Sequence, residues 1–280
     1  MIDQLSDRNF QKLATLLESH VGIRLPPNKR TMVEGRLRKR LRALGLGSLD
    51  EYCRIVFDQG ELENEFTHLI DVVTTNKTDF FREPDHFEFL AQTAVPTLLA
   101  ERRRYGEPHH LKLWSSACST GAEPYTIAMV LMELGRAHSR LRFSVTASDI
   151  STAVLEQAVT AIYPAEMVAP VPDEMRNRYV MQARDSARRE VRIVPELRRL
   201  VRFLRLNLMD TTYPVDRDMD VIFCRNVLIY FDRATQRAVL DRLCSHLRPG
   251  GYLLLGHSES AAGSGLSGMR QVAPTVLRHA

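Results

Sequence analysis

Two acids, Glu123 and Asp149, stand one helix and one strand apart in this 280-residue chain, and their setting suggests ligand chemistry. Glu123 lies in "WSSACSTGAEPYT" (Trp114 to Thr126), which has the pattern of a turn from a buried strand into a helix. Asp149 lies in "ASDIS", at the end of the next apolar run. Turns of this kind hold nucleotides in α/β proteins. A dinucleotide or ATP needs backbone amides close to its phosphates, hence GxGxxG or GxxxxGK[ST]. With the single glycine Gly121, this turn matches neither. S-adenosylmethionine carries no phosphate. It presents a carboxylate, an ammonium, two ribose hydroxyls and an adenine edge. A turn with one flexible residue and an acid (Gly121, Glu123) can meet such a ligand, and an acid at Asp149 is placed to accept from both ribose hydroxyls. Taken alone, the Gly–Glu pair has a plain alternative as a capping turn.

The elements that would position these acids change rhythm along the chain. Up to about Glu107 the apolar residues recur at helical spacing. "DRNFQKLATLLESHVGI" puts Phe10, Leu13, Leu16 and Leu17 on one face, with Asp7 as its cap. "RTMVEGRLRKRLRALG" stops at Gly45 and Gly47, "SLDEYCRIVFDQ" starts at a Ser48 cap, and "ELENEFTHLIDVVT" follows Gly60. A further helix is predicted from about Pro84 to Arg104, ending in the connection "ERRRYGEPHH". Beyond it, short apolar runs alternate with helices, the signature of a parallel sheet. Strands are predicted at 111–115, 142–148, 201–207, 220–224 and 252–256, and the tail "MRQVAPTVLRHA" suits two closing strands around Pro274. Seven strands with a terminal antiparallel hairpin is the plan of a Rossmann-like class I methyltransferase. The proline- and arginine-rich stretch from about 164 to 200, with a hairpin around "YVMQARDSARREVRIV", reads as a small inserted β subdomain. The expected organisation is therefore α/β: a helical N-terminal domain over 1–80, a linker and connecting helix over 81–107, and a cofactor-binding domain over 108–280.

Composition narrows the class. At 44% hydrophobic and 26% charged, the chain has the make-up of an ordinary soluble protein. "MIDQLSDRNF" lacks the pattern of a signal peptide, and no apolar run reaches the roughly 18 to 20 residues of a membrane span. A cytoplasmic location without membrane insertion is expected. Cys53, Cys118, Cys224 and Cys244 are scattered and form no CxxC pair, so free thiols and no metal site are expected. The formal net charge is +4, but it is uneven. Asn28–Arg42 carries a net +6 and Arg184–Arg205 a net +5, which leaves −7 for the remainder. Two basic islands on an acidic body favour an acidic macromolecular partner.

Six ordered motifs carry a family resemblance. "TTNKTDFFRE" (Thr74–Glu83), "WSSACSTGAEPYT", "ASDIS", "RLNLMD", "IFCRNVLIYFD" (Ile222–Asp232) and "LLLGHSES" (Leu254–Ser260) together resemble the CheR-type chemotaxis receptor glutamate methyltransferases over nearly the whole chain. The resemblance implies methyl esterification of glutamate side chains on bacterial chemoreceptors, with S-adenosyl-L-methionine as methyl donor, in the service of sensory adaptation. By motif position it implies cofactor contacts at Asn76, Thr78, Arg82, Glu123 and Asp149. It places Asn207 and Leu208 against the adenine, Cys224, Arg225 and Asn226 along the site, and Tyr230 close to the transferred methyl group. A glutamate substrate is already an anion at neutral pH, so the reaction needs no general base.

Several of these residues have a plain alternative. Arg82 could pair with the cofactor's carboxylate, guide the substrate's, or cap the helix at Pro84. Tyr230 earns a role by lying just past a strand's carboxyl end, although "LIYF" also suits core packing. His257 is expected to make a structural hydrogen bond under the site, and Glu259 to orient a loop. Arg36, Arg38, Lys39, Arg40 and Arg42 form two basic rows along one helix and are the candidate contacts for the receptor's acidic helical bundle. Some family members grip a carboxyl-terminal receptor tether with a glycine-containing loop in the inserted subdomain. The matching loop here, "ARDSARRE", has no glycine, so tether binding is not expected.

Two rival readings fit the sequence less well. A nucleic-acid methyltransferase would use the basic islands, but no aromatic platform adjoins them and no "NPPY"-like motif is present. A degenerate binding module is opposed by the retention of Glu123, Asp149, Arg82 and Tyr230.

Overall fold

The computed structural model describes residues 3–74, 76–104, 106, 110–185, 187–259 and 265–280. Four helices open the chain: α1 (Asp7–Val21), α2 (Arg30–Leu44), α3 (Leu49–Asp58) and α4 (Leu62–Val73). Ser6, not Asp7, caps α1, its hydroxyl accepting from Asn9 N–H, and Ser48 caps α3 in the same way through Glu51 N–H. Phe10, Leu13, Leu16 and Leu17 meet Val33, Leu37, Tyr52 and Leu69 in a core of their own.

The next helix begins as α5 (Pro84–Phe89), widens to a π turn over Leu90–Ala94, and continues as α6 (Val95–Arg104). Pro96 stands two residues after the widened turn. A proline has no N–H to give and its ring collides with the carbonyl four residues back, which the wider turn relieves. Phe87, Leu90, Ala94, Val95 and Leu98 are buried in the core under the sheet, so the stretch expected to be a connecting helix is an integral layer of the second domain. Much of the expected connection after it, Tyr105 and residues 107–109, lies outside the described residues.

The sheet is built from β1 (His110–Ser115), β2 (Arg142–Asp149), β6 (Val201–Arg205), β7 (Met219–Cys224), β8 (Leu247–Leu255), β9 (Met269–Ala273) and β10 (Val276–His279). Its order is β6-β2-β1-β7-β8-β10-β9. The first five strands are parallel, and β10 runs antiparallel between β8 and β9. Strand β7 is buried along its whole length, as its unbroken apolar run requires of a central parallel strand. Helices α7 (Ala122–Ala137), α8 (Thr152–Thr160) and α11 (Arg233–Cys244) make the crossovers.

The inserted subdomain is a second sheet, β3 (Ile162–Pro164), β5 (Glu190–Ile193) and β4 (Val180–Gln182), with α9 (Asp173–Tyr179) before the hairpin and the short α10 (Pro195–Arg198) after it. It begins at Ile162, two residues before the expected boundary. It also braces the cofactor turn, because the Tyr163 hydroxyl donates to the Thr120 carbonyl at 2.7 Å. Ser186, in the loop expected not to bind a tether, lies outside the described residues.

Candidate active site

Strand order reverses on either side of β1, and the loops after β1, β2, β6 and β7 open onto one cleft there. Ligands bind at such switch points because the crossover helices diverge and leave a crevice at the strands' carboxyl ends. The cleft has an empty volume of about 1200 Å3, open mouth included, and the helical domain forms its far wall with Val21, Ile23, Arg24, Leu25 and Met32. Three contacts hold that wall in place. Asn207 Nδ2 donates to the His20 carbonyl at 2.7 Å, Arg24 N–H donates to the Tyr230 carbonyl at 3.3 Å, and Gly22 packs on Met209 and Phe231.

Asn76, Thr78, Arg82, Glu123, Asp149, Asn207, Leu208, Arg225, Asn226 and Tyr230 all line the cleft. Cys224 does not. It is wholly buried among Trp114, Ile222 and Leu253, because the alternation of β7 turns its side chain to the core. Gly121 does not reach the cleft either. Its φ of 92° starts α7, and a Cβ there would stand 2.9 Å from Ala158, so the glycine serves close helix packing, not a ligand.

Arg225 organises the floor of the cleft. Its side chain is 2% exposed, and it donates to Glu123 Oε2 at 2.9 Å, to Glu83 Oε2 at 2.9 Å and to the Arg82 carbonyl. With every donor group engaged inside the protein, it fixes the site's geometry. Asn226 donates from its side chain to Glu83 Oε1 at 3.0 Å. Phe81, Glu83, Ser119 and Asn226 all have φ between 49° and 59°. Four non-glycine residues in the left-handed region around one cleft mark a backbone held against its local preference, at about 1–3 kcal/mol each.

Asp149 accepts from Ser119 N–H at 2.8 Å and from Ser151 N–H at 3.0 Å, and each of its oxygens keeps a lone pair for a ligand. Burial raises its pKa against the amides of Ser151, Ser119 and Ile150, and burial likewise raises that of Glu123 against the pull of Arg225. Ser119 Oγ donates to the Asn76 carbonyl, which ties the segment bearing Asn76, Thr78 and Arg82 to the β1 turn. Arg82 donates to the Lys77 carbonyl at 2.9 Å and lines the cleft; it does not cap α5. The Asn207 side chain is oriented by domain docking, giving one N–H to His20 and accepting from Met209 N–H, and keeps one donor and one lone pair beside the cleft.

Glu259 is buried and accepts from the amides of Gly256, Asn226, Leu228 and Ile229, which pins the loop carrying Asn226 and Tyr230. His257, expected to make a structural hydrogen bond under the site, is half exposed and pairs with Asp85 at 3.0 Å. Glu83 and the wall from Val21 to Met32 were not singled out in the sequence. The residue preceding Pro84 was a local signal for an unusual backbone at Glu83, whereas no local signal marks the wall.

The basic face of α2 is largely spent on structure. Arg36 donates to the carbonyls of Val72, Val73 and Thr74 at the end of α4. Arg38 donates to the Asp3 carbonyl, and Arg40 makes a two-pronged contact with the buried Glu65 at 2.6 and 3.0 Å. Of the five candidate contacts for a receptor, only Lys39 and Arg42 are exposed.

The cleft fits S-adenosylmethionine by its donor set. Two carboxylates at its floor repel phosphate but accept from ammonium and hydroxyl groups, and Ile150, Leu206 and Leu208 offer apolar surface for a base. Residues 76–272 match the family described as CheR methyltransferase, SAM binding domain, and residues 8–74 match its all-alpha domain. The chain is 42% identical over 257 residues to the chemotaxis protein methyltransferase of Escherichia coli K12, covering 91% of this chain and 85% of that one. It is 36% identical to that of Borreliella burgdorferi, covering 91% and 89%. It is 38% identical to chemotaxis protein methyltransferase 2 of Pseudomonas aeruginosa, covering 90% and 86%.

Proposed function

The chain belongs to the CheR methyltransferase family, and from that premise we propose that it esterifies glutamate side chains on the acidic cytoplasmic helical bundle of bacterial chemoreceptors. The observation that carries the reading is a cleft walled by a helical domain, floored by Glu123, Asp149 and the fixed Arg225, and lined by Arg82 and Tyr230. When bound, S-adenosylmethionine supplies an electrophilic methyl group on a sulfonium, which a carboxylate oxygen displaces in line.

The protein's part is placement and exclusion of water. Asp149 takes the ribose hydroxyls and Glu123 lies toward the amino-acid end, where Arg82 meets a carboxylate. Leu208 and Asn207 flank the base. Tyr230 stands past the end of β7, at the junction with the helical domain, where a substrate side chain would enter beside the methyl group. A glutamate side chain arrives as an anion, so no group of the cleft has to take a proton from it.

Lys39 and Arg42 offer the exposed charge for an acidic bundle, with the other α2 arginines adding to the field from fixed positions. Recognition is of the methylation region itself, without a carboxyl-terminal tether, and the enzyme works in the cytoplasm at membrane-bound receptor arrays. Among the described residues no helix is long and apolar enough to cross a membrane.

The test uses methyl-labelled S-adenosylmethionine and receptor cytoplasmic fragments. Label released as methanol by mild alkali, and lost when receptor glutamates become alanine, is the expected result. Alkali-stable label, or label only on added RNA, would overturn it.

A further inference from the structure

Next to Glu83, which Arg225 and Asn226 hold, stand two histidines that the methyl-transfer reading does not use. Glu83, His86 and His257 each offer a ligand atom, and those atoms lie within 4.8 Å of one another. Glu83 and His86 come from the turn into α5, while His257 comes from the loop after β8.

The decisive atom is Nδ1 of His86. This residue is 1% exposed, and Nδ1 has no hydrogen-bond partner. Its other nitrogen, Nε2, is 2.8 Å from the Thr275 hydroxyl. That hydroxyl also lies 2.7 Å from the Pro274 carbonyl, and with its proton directed there Nε2 is the donor and Nδ1 carries a lone pair. The lone pair faces Glu83 Oε2 at 3.5 Å, with no proton between the two acceptors. Glu83 Oε2 already accepts from Arg225 at 2.9 Å and from His257 N–H at 3.3 Å, whereas the buried Nδ1 has no partner, and a cation between the two would supply it. In a tetrahedral site with bonds of about 2.0–2.1 Å, neighbouring ligand atoms stand about 3.3–3.4 Å apart; the His86–Glu83 pair is near that spacing, and the His257 atom, within 4.8 Å of both, closes in when an ion binds.

His257 is arranged in the same sense. Its Nε2 is 3.0 Å from Asp85 Oδ2, which leaves Nδ1 as the nitrogen it can offer. A ligating histidine commonly gives its other N–H to an outer oxygen that fixes tautomer and ring orientation, and both histidines have such a partner, Thr275 and Asp85.

We propose that Glu83, His86 and His257 form a binding site for a divalent cation of the zinc class, with water completing the coordination. Two imidazoles and one carboxylate select a borderline transition metal over magnesium or calcium. The bound ion staples the turn before α5 to the loop after β8, and it shares Glu83 with Arg225, which moderates its affinity because two cations then draw on one carboxylate. Glu83 and His86 stand three residues apart at the start of α5, but His257 joins them only in the folded chain, its ring 5.1 Å from that of His86.

The experiment is a titration of the untagged, chelator-treated full chain with Co2+, read by visible absorption, and with Zn2+, read by calorimetry and by thermal midpoint. One ion per chain, cobalt bands of a low-coordinate nitrogen–oxygen site, and a midpoint that rises with Zn2+ are expected. H257A removes an exposed ligand without opening the core and should weaken binding at least 10-fold and abolish the rise. D85N should weaken it about 10-fold through ring orientation alone. The proposal is overturned if wild type binds no stoichiometric ion at about 100 μM metal, or if H257A binds as wild type does. Neither readout involves methyl transfer, so its failure is separate from failure of the proposed activity.

Discussion

Arg225 and Glu123 meet at 2.9 Å where the arginine side chain is 2% exposed and the glutamate 12%. The same guanidinium holds Glu83 and the Arg82 carbonyl, so one planar group sets three sides of the cleft. Lysine carries the charge but can satisfy only part of this set from a single ammonium. R225K is therefore expected to lower kcat/KM by about 100-fold, equivalent to about 2.7 kcal/mol of transition-state stabilisation. Steady-state kinetics on receptor fragments, with calorimetric cofactor binding alongside, check this. Unchanged kinetics would show that the three-way contact does not shape the reacting geometry.

Gly22 and Gly45 both end helices with φ near 70°, but only Gly22 faces the other domain. A Cβ at Gly22 would stand 2.8 Å from Met209 Sδ and from Phe231 Cδ1, while a Cβ at Gly45 meets nothing within 4 Å. G45A is expected to cost about 1 kcal/mol of stability from backbone strain alone and to leave cofactor affinity unchanged. G22A adds a clash at the hinge of the cleft wall, and is expected to weaken cofactor binding at least 5-fold. Equal cofactor affinities in the two variants would dissociate the wall from the pocket.

On α2, the double variant K39E/R42E and the single variant R40A separate recognition from scaffolding. Lys39 and Arg42 are exposed, so reversing their charge should raise the KM for receptor fragments about 10-fold, with an effect that fades at high salt and little change in thermal midpoint. Arg40 holds Glu65, which also accepts from Tyr52 at 3.1 Å in the helical core. R40A strands a buried carboxylate and should cost about 2–3 kcal/mol of stability. The reverse pattern, a KM effect from R40A and a stability effect from the double variant, would refute this division.

What the sequence disclosed about the site follows the range of its contacts. Asp149 ends β2, Glu123 opens α7 after β1 and Tyr230 lies in the turn after β7, so the alternation of apolar runs placed all three near the strands' carboxyl ends without any tertiary information. The wall from Val21 to Met32 was out of reach, because it depends on one domain docking on another through pairs such as Asn207 and His20, 187 residues apart. The role of Glu83 was hidden for a similar reason, its partner Arg225 being 142 residues away. The α2 arginines misled in the opposite direction. A charge run reads as a free face, yet Arg36 and Arg40 turn inward to cap carbonyls and to hold Glu65. The three-residue strand β3 is too short to carry a period, and only its pairing with β5 defines it.

His86 supplies a pH prediction with a definite sign. Burial, then the nearby Arg225 charge, lowers its pKa from 6.5 to about 4, against the opposing pull of Asp85 and Glu83; His257 faces it as well and lowers it further when charged. Between those two values the unfolded chain binds a proton that the folded chain refuses, so stability falls as pH drops from about 6.5 toward 4. The full loss from this one residue is at most about 3–4 kcal/mol, since one pKa unit is worth about 1.4 kcal/mol. The buried carboxyls of Glu123, Asp149 and Glu259 have raised pKa values, and they act in the opposite direction as pH falls through their range. H86Q removes the histidine's contribution and leaves theirs. Urea unfolding of wild type and H86Q at pH 7, 6 and 5 with chelator present compares slopes rather than absolute stabilities, which a packing defect in the variant would shift. Wild type is expected to lose stability more steeply than H86Q, and parallel curves would place the acid sensitivity elsewhere.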